Sequence, residues 1–214
     1  SKKFAERYNC ISEKNLYLGS PKYDNCMAFM NDGRTKRELI CKKYNIPEQE
    51  KYALIAFPRL RDLSKINMIN IYQCLEDMGY KIIVKTRGKD PVQKDSLRGD
   101  FYFEDFTWFP HTAMELIEAS DLVINFDSTL IKESTLLRKK IVNFHIKPFN
   151  PKLDFLYDHD FCKNLHPDTK KENIKNEIND LLTKDLTNNF DKAISDHLFE
   201  PVGVCKNILN HFGV

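Results

Sequence analysis

The chain has 214 residues, 42% hydrophobic and 12% aromatic, enough for one cored domain or one domain with part of a second. Charged residues make up 30%, but the formal net charge is only +2, so no basic field points to nucleic acid as a partner. The six cysteines (10, 26, 41, 74, 162, 205) form no CxxC and no Cys/His cluster, and no apolar run nears the ~20 residues of a membrane span, which together favour reduced thiols in a cytoplasmic protein over a disulfide frame, a zinc site or a membrane helix.

The chain opens SKKFAERYNC, with no initiator methionine and no signal-peptide pattern, and reads as the middle of a longer protein. Lys2–Tyr8 reads as a helix end and Asn15–Leu18 as a short strand stopped by Gly19-Ser20-Pro21. A short helix follows Tyr23-Asp24 and runs through Met30. Thr35–Tyr44 is an amphipathic helix with Thr35 as N-cap and Glu38 three residues on, a capping box. Asn45–Glu50 is a linker and marks a domain boundary.

Tyr52–Phe57 is a buried strand, and Pro58–Asp62 is a loop with two arginines. Ser64–Met78 is a helix with Ile66, Ile69, Tyr72, Leu75 and Met78 on one side, ended by Gly79. Lys81–Val84 is the next strand, followed by Lys85-Thr86-Arg87-Gly88. After a polar connection, Asp90–Asp100, come the strand Phe101–Phe106, the loop Thr107–Thr112 and the helix Ala113–Ala119. Leu122–Asn125 is a short apolar run closed by Asp121 and Asp127, a buried parallel strand. The turn Phe126–Thr129 leads into a helix, Leu130–Arg138, closed by the cations Lys139-Lys140. Ile141–Phe144 is a further strand. Such alternation predicts an α/β fold, a Rossmann-like parallel sheet with helices on both faces. Pro148–Asp160 reads as an irregular loop and Asn164-Leu165 as a last short strand. Three helices close the chain: Thr169–Lys184, with Ile174, Ile178, Leu181 and Leu182 inward, then Asn188–His197 and Val202–Phe212.

In an open α/β sheet, ligands bind beyond the C-terminal ends of the strands. Four loops meet there, contributing Arg59 and Arg61, Lys85 and Arg87, Trp108 and His111, and Asp127, Ser128 and Thr129. The last turn puts two hydroxyls and backbone N–H groups at a helix N-terminus, where a phosphate can bind. Glu133 lies four residues after Thr129, so both project from one helix face, and its carboxylate is placed to accept from a ribose diol. Each residue also has a plainer role: Asp127, Ser128 and Thr129 as helix caps, Arg61 as a solvated charge, Lys85 as a strand-end lysine, Trp108 as a core plug and His111 as a helix-entry residue. The convergence of all four loops favours an anion site. No GxGxxG, GxxxxGK[ST] or Gly-x-Ser-x-Gly is present, and His145, His159 and His166 are not spaced as metal ligands.

Four segments carry a family resemblance. NLYLGSPKYD (15–24) resembles V-x-G-N-P-x-x-D, and KIIVKTR (81–87) resembles a strand ending in lysine before K-P-H-P. SDLVINFDSTLIKES (120–134) resembles A-D-x-L-I-T-D-Y-S-S-x-x-x-D, and RKKIVNF (138–144) resembles x-K-P-I-I-x-F. The chain is thus similar to the C-terminal, donor-binding half of GT-B glycosyltransferases, in the group of CDP-glycerol glycerophosphotransferases and UDP-N-acetylglucosamine 2-epimerase. Ser128 and Thr129 fall on the group's paired serines, which hold the donor phosphates, and Glu133 on its acidic position. Phe126 stands where the group has Asp, Asp127 where it has Tyr, and Thr86-Arg87-Gly88 replaces Pro-His-Pro, leaving Arg87 to supply positive charge.

The resemblance implies a glycosyltransferase that takes a nucleotide-diphosphate sugar and builds a surface glycan. Arg59 and Lys85 would stabilise the leaving diphosphate, with His111 or a missing domain as base. Arg87, Trp108, Asp127, Ser128, Thr129 and Glu133 would bind the nucleotide, and neither cofactor nor metal is required. It also implies a missing N-terminal domain that binds a glycan or lipid-linked acceptor. Residues 1–47 would be that domain's tail and linker, 48–200 the nucleotide-binding domain and 201–214 a terminal helix that crosses back. The expected location is cytoplasmic, or peripheral at the inner membrane face. The alternatives are a polyol-phosphate transferase or nucleotide-sugar epimerase of the same fold, or a non-catalytic nucleotide-binding module.

Overall fold

The computed structural model describes residues 20–32, 36–88, 92, 97–105, 111–146, 154–198 and 203–213. Six strands form one parallel sheet: β1 (Tyr52–Ala56), β2 (Lys81–Arg87), β3 (Phe101–Asp105), β4 (Leu122–Asn125), β5 (Lys140–Phe144) and β6 (Cys162–Leu165). Their spatial order is β3-β2-β1-β4-β5-β6, all neighbours parallel. Such an order reverses between β1 and β4, which is where doubly wound sheets open a crevice. The central strands are short runs of β-branched and aliphatic residues, and β1 and β4 are buried along their whole length. Each fully buried Leu or Ile there contributes about 1.5–3 kcal/mol to stability.

The helices are α1 (Lys22–Asn31), α2 (Arg37–Tyr44), α3 (Met68–Asp77), α4 (His111–Ala119), α5 (Leu130–Leu136), α6 (Asp154–Tyr157), α7 (Lys171–Thr183), α8 (Thr187–Ala193) and α9 (Val204–Phe212). Register assigns the two sheet faces. Tyr52, aligned with Lys81, lies under α2, where its hydroxyl donates to the Pro47 carbonyl (2.5 Å). Phe101 and Phe103 share that face and meet Tyr52 and Tyr44 edge-on. α4 packs against α2 and α5, while α3 and α7 pack together on the sheet. Asp121 ties the N-terminal edge: its carboxylate accepts from Tyr52 N (2.7 Å) and Arg37 Nη1 (2.8 Å).

Several local expectations change. α2 begins at Arg37 behind Lys36, with no side-chain cap, and Thr35 lies outside the described residues. The helix expected over 64–78 is a 3-10 turn, Leu60–Lys65, followed by α3. Asn67 starts α3 by accepting from Asn70 N, so Ile69 falls on the outer side and is 55% exposed. β2 continues through Arg87, because Lys85, Thr86 and Arg87 keep pairing with Phe103, Glu104 and Asp105. α5 stops at Leu136, with Arg138 left-handed at φ 53°. Lys139 and Lys140 therefore close other helices: Lys139 Nζ donates to the Glu118 carbonyl in α4 (2.9 Å), and Lys140 Nζ to the Leu182 carbonyl in α7 (2.8 Å) and to that of Lys184 (2.9 Å). Part of the stretch 148–160 expected to be irregular is α6. At the start of α9, Val204 N (2.8 Å) and Cys205 N (2.7 Å) donate to the Asp24 carboxylate of α1.

The expected helix 2–8 and strand 15–18 lie outside the described residues. Cys41, Cys74, Cys162 and Cys205 are free thiols. No helix among the described residues is long and apolar enough to cross a membrane.

Candidate functional site

A small open cleft sits at the switch point, lined by Phe57, Pro58, Arg59, Asp62, Arg87, Phe126, Asp127, Ser128 and Ile146. Arg59 directly follows Pro58, the last buried position of the run that begins with β1. Arg87 arrives as the last residue of β2, next to β1 in the sheet. Two guanidinium groups from adjacent strand ends thus face the turn Phe126–Ser128 that follows β4. Asp62 is buried at 6% exposure, with Lys65 Nζ 3.4 Å and Arg61 Nε 3.9 Å from its carboxylate. Those two cations offset its charge beside the cleft.

Asp127 does something different from what the sequence suggests. It is left-handed at φ 47°, a conformation Asp and Asn tolerate better than other side chains, and this turns its carboxylate inward. Oδ1 accepts from Asn143 Nδ2 (3.1 Å) and meets His145 Nδ1 (2.8 Å), while Oδ2 accepts from Ile146 N (2.8 Å). The Asp127 N–H in turn donates to Asn143 Oδ1 (3.0 Å). Asp127 lines the cleft, but its side chain is only 2% exposed. Its carboxylate is therefore engaged by the fold beneath the turn.

Beneath that turn three asparagines stand at one register on three strands. Asn125 is aligned with Asn143, and Asn143 with Asn164. Asn125 Nδ2 donates to Asn143 Oδ1 (2.9 Å), Asn143 Nδ2 lies 3.4 Å from Asn164 Oδ1, and Asn164 Nδ2 donates to the Tyr157 carbonyl (2.7 Å). Asn125 Nδ2 also reaches the Ser128 carbonyl at 3.4 Å. This amide row fixes the turn that carries Ser128. Sequence reasoning missed it, along with Asp62. The available signal was an asparagine near the C-terminal end of three successive strands, buried on β4 and β5 and exposed on β6.

The remaining expected residues fall as follows. Ser128 lines the cleft, and its Oγ accepts weakly from Leu130 N (3.4 Å). Thr129 is exposed as the N-cap of α5 and makes no side-chain capping bond. Glu133 differs from Thr129 in environment, being 2% exposed on the inner side of α5. Lys85 is half-buried within β2, on the same sheet face as Arg87 but not on the cleft wall. Arg61 pairs with Asp62 and is largely exposed. His111 opens α4, and its side chain lies outside the described residues, as does Trp108. His145, His159 and His166 do not gather: among the described residues no three His, Cys, Asp or Glu side chains converge as metal ligands would.

No family model and no curated protein sequence matches the chain. Solved structures do. The wall teichoic acid polymerase TagF superposes with a TM-score of 0.61 at 17% identity, over 100% of this chain and 54% of that one. The UDP-GlcNAc 2-epimerase of Methanocaldococcus jannaschii, solved with UDP-GlcNAc and UDP, gives 0.60 at 13% identity, over 86% and 52%. The E. coli ADP-heptose LPS heptosyltransferase II gives 0.54 at 15% identity, over 71% and 52%. The chain spans about half the length of each of these proteins, and its fold is that of one half of a GT-B protein.

Proposed function

We propose that this chain is the donor-binding half of a glycosyltransferase that takes a nucleotide-diphosphate sugar. The observation that carries this reading is the convergence of Arg59, Arg87 and the Ser128 turn on one cleft at the switch point of a GT-B half. In sugar transfer the bond between the sugar and the diphosphate breaks, and its electron pair leaves with the phosphate. Fixed cations aimed at that developing charge lower the barrier, and they act more strongly in a cleft than in open water. Arg59 and Arg87 are placed for this, with the N–H groups after Ser128 as further donors. Lys85, on the same sheet face, adds positive potential from below. This reading also assigns Glu133 to the ribose hydroxyls, Trp108 to the base and His111 to the acceptor.

The acceptor, a glycan or lipid-linked chain, is held by a further domain, and surface glycan synthesis is the proposed setting. A polyol-phosphate transferase or a nucleotide-sugar epimerase would use the same cleft for the same diphosphate. The donor reading is tested by thermal unfolding. A ligand that binds only the native state raises the melting temperature by mass action. UDP or CDP should raise it clearly, and uridine or cytidine much less. Equal effects of nucleoside and nucleotide would remove the phosphate role of the cleft.

A further inference from the structure

The wall of the cleft holds a buried carboxylate that the fold engages only loosely, Asp62, and we propose that it accepts a hydrogen bond from a ligand hydroxyl beside the diphosphate. This role deepens the donor reading and rests on it. Asp62 lies in the 3-10 turn Leu60–Lys65, whose N-cap is Arg59. The Asp62 N–H donates to the Arg59 carbonyl (2.8 Å), so one short turn fixes both residues. Positions three apart eclipse in 3-10 geometry, and Arg59, Asp62 and Lys65 follow at that spacing. Arg59 and Asp62 both line the cleft. The Asp62 side chain is 9% exposed, against 6% for the whole residue, so what is open of it is concentrated in the side chain.

A carboxylate has two oxygens, and each can accept more than one hydrogen bond. Asp62 Oδ1 accepts from Lys65 Nζ at 3.4 Å, while Arg61 Nε stands 3.9 Å from Oδ2, beyond hydrogen-bond reach. Both cations are on exposed side chains, where solvent screens them. They ease the burial of the carboxylate and leave acceptor sites on it. Asp127, the other acid of the cleft wall, differs: its two oxygens are already met by Asn143, His145 and Ile146 beneath the turn. A carboxylate already shielded from water gains most from a donor that a ligand supplies, because hydrogen bonds to charged groups are the strong ones. An ionised phosphate supplies no such donor, whereas a hydroxyl does. A nucleotide sugar carries hydroxyls on both sides of its diphosphate, the ribose diol on one and the sugar on the other. With Arg59 at the diphosphate, Asp62 meets one of these neighbours and selects for a hydroxylated ligand.

The test uses UDP, 2′,3′-dideoxy-UDP, which lacks the ribose diol, and UDP-glucose, which adds sugar hydroxyls; the CDP counterparts replace them if CDP stabilises the protein more. Titration calorimetry gives the affinity of each ligand for wild type, Asp62→Asn and Asp62→Ala. Affinities are compared between ligands within one variant, so a general loss of folded protein cancels, and Asp62→Asn alone carries the comparison if Asp62→Ala does not fold. Asn keeps the size and one acceptor oxygen but loses the charge, and Ala loses both. The substitutions should weaken the ligand that carries the bonded hydroxyl by roughly ten-fold, and should leave the dideoxy form unchanged or slightly tighter. A loss shared by UDP and UDP-glucose but absent from the dideoxy form assigns Asp62 to the ribose, in place of Glu133. A loss confined to UDP-glucose assigns it to the sugar. Equal changes for all three ligands overturn the acceptor role and leave the donor reading standing. Failure of every one of these ligands to bind the wild type, with no stabilisation by UDP or CDP, overturns the donor reading and the role of Asp62 together.

Discussion

Asn143 and Asp127 hold each other twice: the Asn143 amide donates to Asp127 Oδ1, and its carbonyl accepts the Asp127 N–H. One fully buried side chain on β5 thus fixes both the backbone and the carboxylate of the turn after β4. Asn143→Ala would orphan the Asp127 N–H in the interior and leave the Asn125 amide only its 3.4 Å contact to the Ser128 carbonyl. Each orphaned buried group costs about 1–3 kcal/mol, so urea unfolding should show a loss of that order or more. Asn143→Leu, close in size, should lose about as much, because the missing partner matters more than the volume.

Arg59 and Arg87 come from adjacent strand ends, and neither belongs to the apolar core. Arg59→Ala and Arg87→Ala should each leave the unfolding transition within about 0.5 kcal/mol of wild type. Each should weaken UDP binding by roughly ten-fold or more, since hydrogen bonds to charged groups contribute about 1.5–3 kcal/mol. Titration calorimetry at low and high salt reads both the loss and its screening. Arg61→Ala, on the outer side of the same 3-10 turn, should change UDP affinity far less.

The return of α9 to α1 depends on a charge. Asp24 is held below the usual carboxylate range, first by the Cys205 N–H and then by further bonds at the start of α9. A carboxylate depressed in the folded state contributes stability above its unfolded value, and that contribution is lost as pH falls through the folded value. The docking should therefore be intact at neutral pH and weaken on acidification below about pH 4, the unfolded range of aspartate. Hydrogen exchange should show the Val204 and Cys205 amides opening in acid while β1 and β4 stay protected. Asp24→Asn should reproduce the opening at pH 7. Unchanged exchange in that variant would mean that apolar contacts alone hold α9.

The sheet was legible because β1, β2, β4 and β5 carry short Val, Ile or Leu runs bounded by charge and turn residues. Leu122–Asn125 has the expected bounds, and Tyr52–Ala56 and Lys140–Phe144 differ from expectation by one residue at an end. β2 ran long because Lys85-Thr86-Arg87 looks like a solvated exit, whereas Thr86 is buried and bonds to the Tyr102 hydroxyl at 2.9 Å. α3 started late because the apolar spacing from Ile66 to Met78 reads as one helix, while Asn67 offers a local cap that restarts it. The candidate cleft was legible through the rule of strand ends. The asparagine row was not, since asparagine in a sequence signals a turn and only register across three strands reveals a ladder. Asp127 illustrates the same limit: its type and place were readable, and its inward turn depended on a left-handed backbone.

The most direct test of the donor site is the amide map of the 15N-labelled protein with and without UDP. The shifts should concentrate at residues 57–62 and 126–130, at Arg87 and at His145–Ile146, and uridine should reproduce few of those at Ser128, Thr129 and Leu130. Shifts gathered elsewhere, on α7 or α9 for example, or a spectrum unchanged at millimolar UDP, would contradict the assignment of this cleft to a nucleotide diphosphate.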